Sequence, residues 1–248
     1  MQLWTYEHTV TLVPAMVVML LAGLIARRTL GSKPQHIRMI PLQVIAVLLL
    51  VLEVGKQAVS LYRGYDLYHL PFHFCSLYLF MLPLMAFYQG KHRHAVNAIT
   101  AAICTSLFLL MLIYPNLIYS SHDIVHFFSD YMCFHTVAFH NLVMLACVLI
   151  IALRLHTPAP KGEPKAVLLF TLGFCAVSAT MAQLLKTNYA NYYSCNIPPL
   201  EAVRVSLQAT LGYAPTQLLY ILIVSALNLV FVLMCWGIYR LITKKTHP

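Results

Sequence analysis

Glu53 and Lys56 interrupt an apolar run from Ile40 to Tyr62, and His73, Cys75 and His135 interrupt two other runs at matching depth. Charged and nucleophilic side chains are costly in a hydrocarbon core unless they face protein or a wet cavity, so such a set marks a functional site. A thiolate is a nucleophile, an imidazole takes up and returns protons near neutral pH, and a carboxylate can orient an imidazole or hold a cation. Residues of these types brought together could move an acyl group through a covalent thioester.

The elements that must position them follow from composition. The 248-residue chain is 60% hydrophobic and 9% charged, whereas soluble domains carry about a quarter charged residues, so the expected class is an all-α polytopic membrane protein. A helix of about 20 residues crosses a hydrocarbon core of about 30 Å. Seven runs approach that length: Val10 to Ala26, Ile40 to Tyr62, Leu70 to Tyr88, Ala95 to Tyr114, Ile124 to Leu153, Ala166 to Leu185 and Ala214 to Tyr239. The first lacks a basic start and a small-residue cleavage site, which predicts a retained helix and not a secretory signal. With no repeat, low-complexity tract or composition break, residues 1–248 read as one seven-helix membrane domain.

Of the 16 Lys and Arg, all but Lys56, Arg63, Lys186 and Arg204 fall in the loops after the first, third and fifth runs or in the tail, Lys161 and Lys245 among them. Basic loops are retained in the cytoplasm, so this asymmetry predicts the amino terminus outside and the carboxyl terminus inside, in the cell membrane. The net charge of +9 then reads as a topology signal with attraction to anionic lipid. Nucleic acid is not an expected partner, because the cations show no regular alternation with aromatics.

In this topology the polar residues gather toward the outer ends: Glu53 and Lys56 on the second run, His69, His73 and Cys75 on the third, and His126, Asp130 and His135 on the fifth, which continues to His140 near mid-membrane. The inner halves are nearly all apolar. An α-helix turns 100° per residue, so a helical third run would separate His73 from Cys75, and a base for Cys75 should come from another helix. His135 and His140 lie about 140° apart, which predicts that at most one of them faces a given partner. His126 and Asp130, at i and i+4, are placed to pair. The seven cysteines lack C-x-x-C or zinc spacing, and no H-x-x-x-H falls at the inward depth a buried metal site would require, so no metal or other cofactor is expected.

The outer segment from Lys186 to Tyr213 is the one long loop. It carries Asn188, Asn191, four tyrosines, Cys195 and Pro198-Pro199, and Leu200, Val203, Leu207 and Leu211 recur at helical spacing. A lid or a short interfacial helix is the expectation.

The order E-x-G-K at Glu53 to Lys56, L-P-F-H-F-C at Leu70 to Cys75, the aromatic stretch Phe127 to His135, N-x-x-x-C-x-x-P at Asn191 to Pro198 and G-Y-A-P-T-Q-L-L-Y at Gly212 to Tyr220 resembles the YwaF-like and transmembrane protein 164 integral membrane family. The resemblance implies acyl transfer between ether phospholipids, with Cys75 and His135 as the catalytic pair. Phospholipid and lysophospholipid would be its substrates, Asn188 or Asn191 would stabilise an oxyanion, and Glu53 would orient Lys56 or the histidine. His73 and His140 are supporting candidates. A small-molecule transporter or a non-enzymatic seven-helix protein would share the topology without needing a nucleophile.

Overall fold

The computed structural model describes residues 3–159 and 162–244, so Lys161 and Lys245 of the cationic pattern lie outside the described residues. Those residues form α-helices and short 3-10 turns with no strand. The helices are α1 (Tyr6–Leu30), α2 (Gln35–Tyr62), α3 (Leu77–Phe87), α4 (Arg93–Ile113), α5 (Ser121–Val125), α6 (Tyr131–Ala152), α7 (Glu163–Leu185), α8 (Pro198–Leu211) and α9 (Tyr213–Lys244). Six of them, α1, α2, α4, α6, α7 and α9, are long and apolar enough to cross a membrane.

The centre of the bundle is α4, which packs against α3, α6, α7 and α9. Small residues make this possible: Ala98, Ala101, Ala102, Cys104 and Ser106 are buried along it and let neighbouring backbones approach. Its hydroxyls are satisfied: Thr105 and Ser106 each donate to the carbonyl four residues back, and Thr100 lies within reach of both the Val96 carbonyl and the Met81 carbonyl of α3. The outward faces of α1 and α9 are rows of exposed Leu, Val and Ile, as expected where lipid is the solvent.

Two predicted spans need correction. The run from Leu70 to Tyr88 is α-helical only from Leu77, and Leu70 to Ser76 is irregular apart from a 3-10 turn at Phe74–Ser76. Such backbone survives inside an apolar bundle only if its polar groups are satisfied, and here side chains from elsewhere do it. Gln57 donates to the His69 carbonyl at 3.1 Å, Ser178 to that of Phe72 at 2.8 Å, and the Tyr189 hydroxyl to that of Leu67. The run from Ile124 to Leu153 is likewise broken: α5 starts in a capping box of Ser120 and Asp123, and α6 starts afresh at Tyr131, capped by Asp130. Asp130 pairs with Arg63 at 2.9 Å, not with His126, whose ring bonds Ser129. The Asp130 carboxylate is thereby held below its ordinary range, first by the Met132 backbone N–H and then by the Arg63 guanidinium.

The long loop contains the predicted helix. Pro198 and Pro199 open α8, where their missing N–H groups cost nothing. Leu200, Val203, Leu207 and Leu211 are all exposed along it.

Candidate functional site

Glu53 and Lys56 sit nine and six residues short of the end of α2, on the face that meets α3 and α6. Only 15% of either side chain is exposed, and Lys56 Nζ lies 2.7 Å from Glu53 Oε1. The second carboxylate oxygen faces α6, with His135 Nε2 at 3.4 Å from Oε2. That separation is an ion-pair contact without hydrogen-bond alignment, so Nε2 is left with no hydrogen-bond partner. Gln57 completes the cluster by donating to Glu53 at 2.6 Å. One carboxylate thus organises a cation, an amide and an imidazole across two helices.

The glycine of E-x-G-K has a steric role. A Cβ at Gly55 would lie 2.0 Å from Tyr131 Oη and 2.7 Å from Cζ, because Tyr131 at the start of α6 packs there and donates to the Leu52 carbonyl at 3.1 Å. This contact sets how closely α6 approaches α2, and hence the distance from His135 to Glu53. Gly55→Ala is expected to displace Tyr131 and cost about 1–3 kcal/mol, the usual range for overpacking. Thermal unfolding in detergent checks it, and Tyr131→Phe, which loses one hydrogen bond, should cost about 1 kcal/mol.

Cys75 opens onto this cluster. A cavity of about 200 Å³ is lined by Glu53, Lys56, His73, Cys75, His135 and His140 together. Two geometric expectations bear on it. Because residues 70–76 are not a regular helix, His73 and Cys75 share a cavity that helical phasing would have denied them. His135 and His140 also both line it, from two sides of α6.

The histidines are held differently. The Nδ1 of His140 lies 2.6 Å from the Thr136 carbonyl, which can only accept, so Nδ1 carries a proton and Nε2 is the atom free to exchange one. His73 donates from Nε2 to the Tyr68 carbonyl at 3.0 Å, and its ring lies against Tyr68 and Tyr189 with centroids 4.3 and 5.2 Å away. It buttresses the wall. His69 bonds Ser60 at 2.6 Å and is likewise occupied.

A second cavity of about 240 Å³ shares Cys75, His73 and His140 and adds Asn188 and Asn191 from the long loop. The two asparagines differ. Asn188 accepts from the backbone N–H of Tyr193 and Ser194 and donates to Asn196, so it shapes the loop. Asn191 has an amide oxygen with no partner, and its backbone, with that of Ala190, takes left-handed φ values of 64° and 46°. Two adjacent non-glycine residues in that region are strained, and such strain clusters at functional sites. The G-Y-A-P-T-Q-L-L-Y junction enforces it: Tyr220 donates to the Asn191 carbonyl at 2.6 Å, and Gln217 to that of Tyr192 at 2.9 Å.

Sequence reasoning missed Gln57, Tyr68, Tyr131 and Tyr189, which fix the cavity without lying in its reactive set. Gln57 was detectable, standing four residues after Glu53 on the same helical face. The tyrosine contacts run between segments distant in the chain and leave no local signal.

A bundle with six apolar helices of spanning length and a polar cavity between them, with a cysteine in its wall, defines a multi-pass integral membrane protein. The chain belongs to the TMEM164 family, whose sequence profile matches residues 3–239. No curated protein and no solved structure matches it significantly.

Proposed function

We propose that this protein is a lipid acyltransferase in which Cys75 is the nucleophile and His135 the general acid and base, with Glu53 orienting His135. The observation that carries the reading is the convergence of Cys75, His135, Glu53 and Lys56 on one cavity inside a membrane bundle. His135 takes the Cys75 proton as sulfur attacks a phospholipid ester carbonyl. The C–S bond forms, the ester C–O bond breaks, and the proton passes to the departing lysophospholipid alcohol. A second lysophospholipid hydroxyl then gives its proton to His135 and attacks the thioester, which returns the proton to sulfur and releases the acylated product. Lys56 favours the thiolate form by its charge. The amide of Asn191 supports the oxyanion of both tetrahedral intermediates.

In this reading α3, with the irregular segment before it, serves as a seventh and shortened crossing. The cavity then opens to the outer leaflet of the cell membrane, with the amino terminus outside and the basic loops inside. The exposed apolar row of α8 lies in that outer interface.

Transfer is tested in liposomes carrying isotopically labelled phospholipid and a lysophospholipid acceptor. Labelled diacyl product that depends on the acceptor supports the reading, whereas free fatty acid alone makes water the acceptor and the protein a hydrolase. No turnover by folded protein rejects it. Asn191→Ala is expected to lower turnover by about 10²-fold or more, the usual cost of an oxyanion donor, and to cost about 1 kcal/mol in stability, because alanine tolerates the left-handed backbone less well than asparagine.

A further inference from the structure

The opposite end of the bundle holds a second polar cavity that the acyl-transfer chemistry does not use. It has a volume of about 230 Å³, and its lining includes Arg38 from the start of α2, Arg93, His94 and Asn97 from the start of α4, and Arg154 and His156 from the segment after α6. We infer that this cavity binds a phosphate group, carried by an anionic lipid or by a small soluble phosphate.

Three features converge on an anion. The first is charge: three guanidinium groups line the cavity, and no carboxylate is among its described lining residues. The second is the helix termini. Both α2, 28 residues long, and α4, 21 residues long, begin here with no side-chain cap on their first turns. Aligned peptide dipoles leave positive potential at such ends, which favours phosphate. The third is unmet hydrogen bonding. Asn97 is 4% exposed, yet its Oδ1 has no hydrogen-bond partner, and the buried Nε atoms of Arg38 and Arg93 have none either. Oxygen and nitrogen of an asparagine amide are interchangeable by a flip, so Asn97 can present its donor to a ligand. Buried polar groups in native proteins are normally satisfied, and a tetrahedral oxyanion would accept from Asn97, Arg38 and Arg93 at once.

A metal ion is the rival occupant, because ligand atoms of His94, His156 and Glu163 lie within 4.8 Å of one another. Charge decides against it. Glu163 already faces His156 at 3.5 Å and His94 at 3.9 Å, and its other oxygen accepts from the Ala159 N–H at 2.9 Å. A dication would meet one carboxylate and three arginines. Basic pockets between membrane helices are also the places where phosphorylated headgroups bind.

The test uses the full chain in phosphatidylcholine nanodiscs and two probes, inorganic phosphate in solution and phosphatidic acid doped into the bilayer. Thermal unfolding followed by tryptophan fluorescence reads binding, since Trp236 stacks on His156. At least one probe should raise the midpoint of the wild type. Arg93→Gln and Asn97→Asp should each weaken the apparent affinity about tenfold or more, whereas Arg28→Gln, an exposed arginine at the same end of α1, should not. Protection by phosphatidic acid alone assigns a lipid headgroup, and protection by both probes assigns a site open to soluble phosphate. The inference is overturned if neither probe protects the wild type, or if Arg93→Gln and Asn97→Asp both bind as the wild type does. Equal weakening by Arg28→Gln would also overturn it, by reducing the effect to general surface charge.

Discussion

Cys75→Ala is expected to reduce acyl turnover by about three orders of magnitude or more, the scale on which an enzyme loses a covalent nucleophile. No other thiol can substitute. Cys104, Cys133, Cys147, Cys175 and Cys235 are buried elsewhere, and Cys195 lies in the long loop outside both cavities that Cys75 lines. Fold and stability should be nearly unchanged, because Cys75 is half-buried on a cavity wall and its loss opens no closed void. His135→Ala should cost about 10²–10⁴-fold, the range for a positioned acid–base group. His140→Ala is the informative companion. If it costs as much as His135→Ala, the proton passes through the His140 lone pair, and His135 has only an orienting role. Initial rates on one labelled phospholipid separate the two.

Glu53→Ala is the second large effect, and it falls on stability as well as rate. The substitution leaves Lys56, at 15% exposure, without its counter-ion between apolar helices, and removes the oxygen facing His135. Breaking a buried pair by deleting one partner costs about 3–5 kcal/mol, most of it the penalty of the charge left behind. The double variant Glu53→Ala/Lys56→Ala should therefore be more stable than Glu53→Ala alone. Unfolding midpoints of the three proteins in one detergent decide it. A loss under about 0.5 kcal/mol in Glu53→Ala would mean the pair is effectively solvated. Lys56→Ala should retain more activity than Glu53→Ala, since Glu53 also holds His135.

What could be read from the chain and what could not divides along physical lines. Apolar length carries the long helices, because that signal is local and cumulative. Glu53, Lys56, Cys75 and His135 stood out because each is costly where it lies, and they do share a cavity. The irregular approach to Cys75 was hidden: Leu70, Phe72 and Phe74 look like a span by hydropathy, and only Gln57, Ser178 and Tyr189 make a non-helical path affordable there. Helical phasing then misjudged His73, and the separation of His135 from His140 on α6 did not matter in a cavity that reaches both. The break before α6 was legible in principle. Ser120 with Asp123, and Asp130 ahead of Tyr131, are capping residues, but the apolar count across Ile124 to Leu153 outweighed them.

The most direct test of the account is the mass of the protein itself, quenched rapidly after mixing with labelled phospholipid in the absence of an acceptor. The account predicts one added acyl chain, on the peptide containing Cys75, released by hydroxylamine and absent from Cys75→Ala. An unmodified Cys75 in protein that continues to turn over lipid would contradict a thioester mechanism.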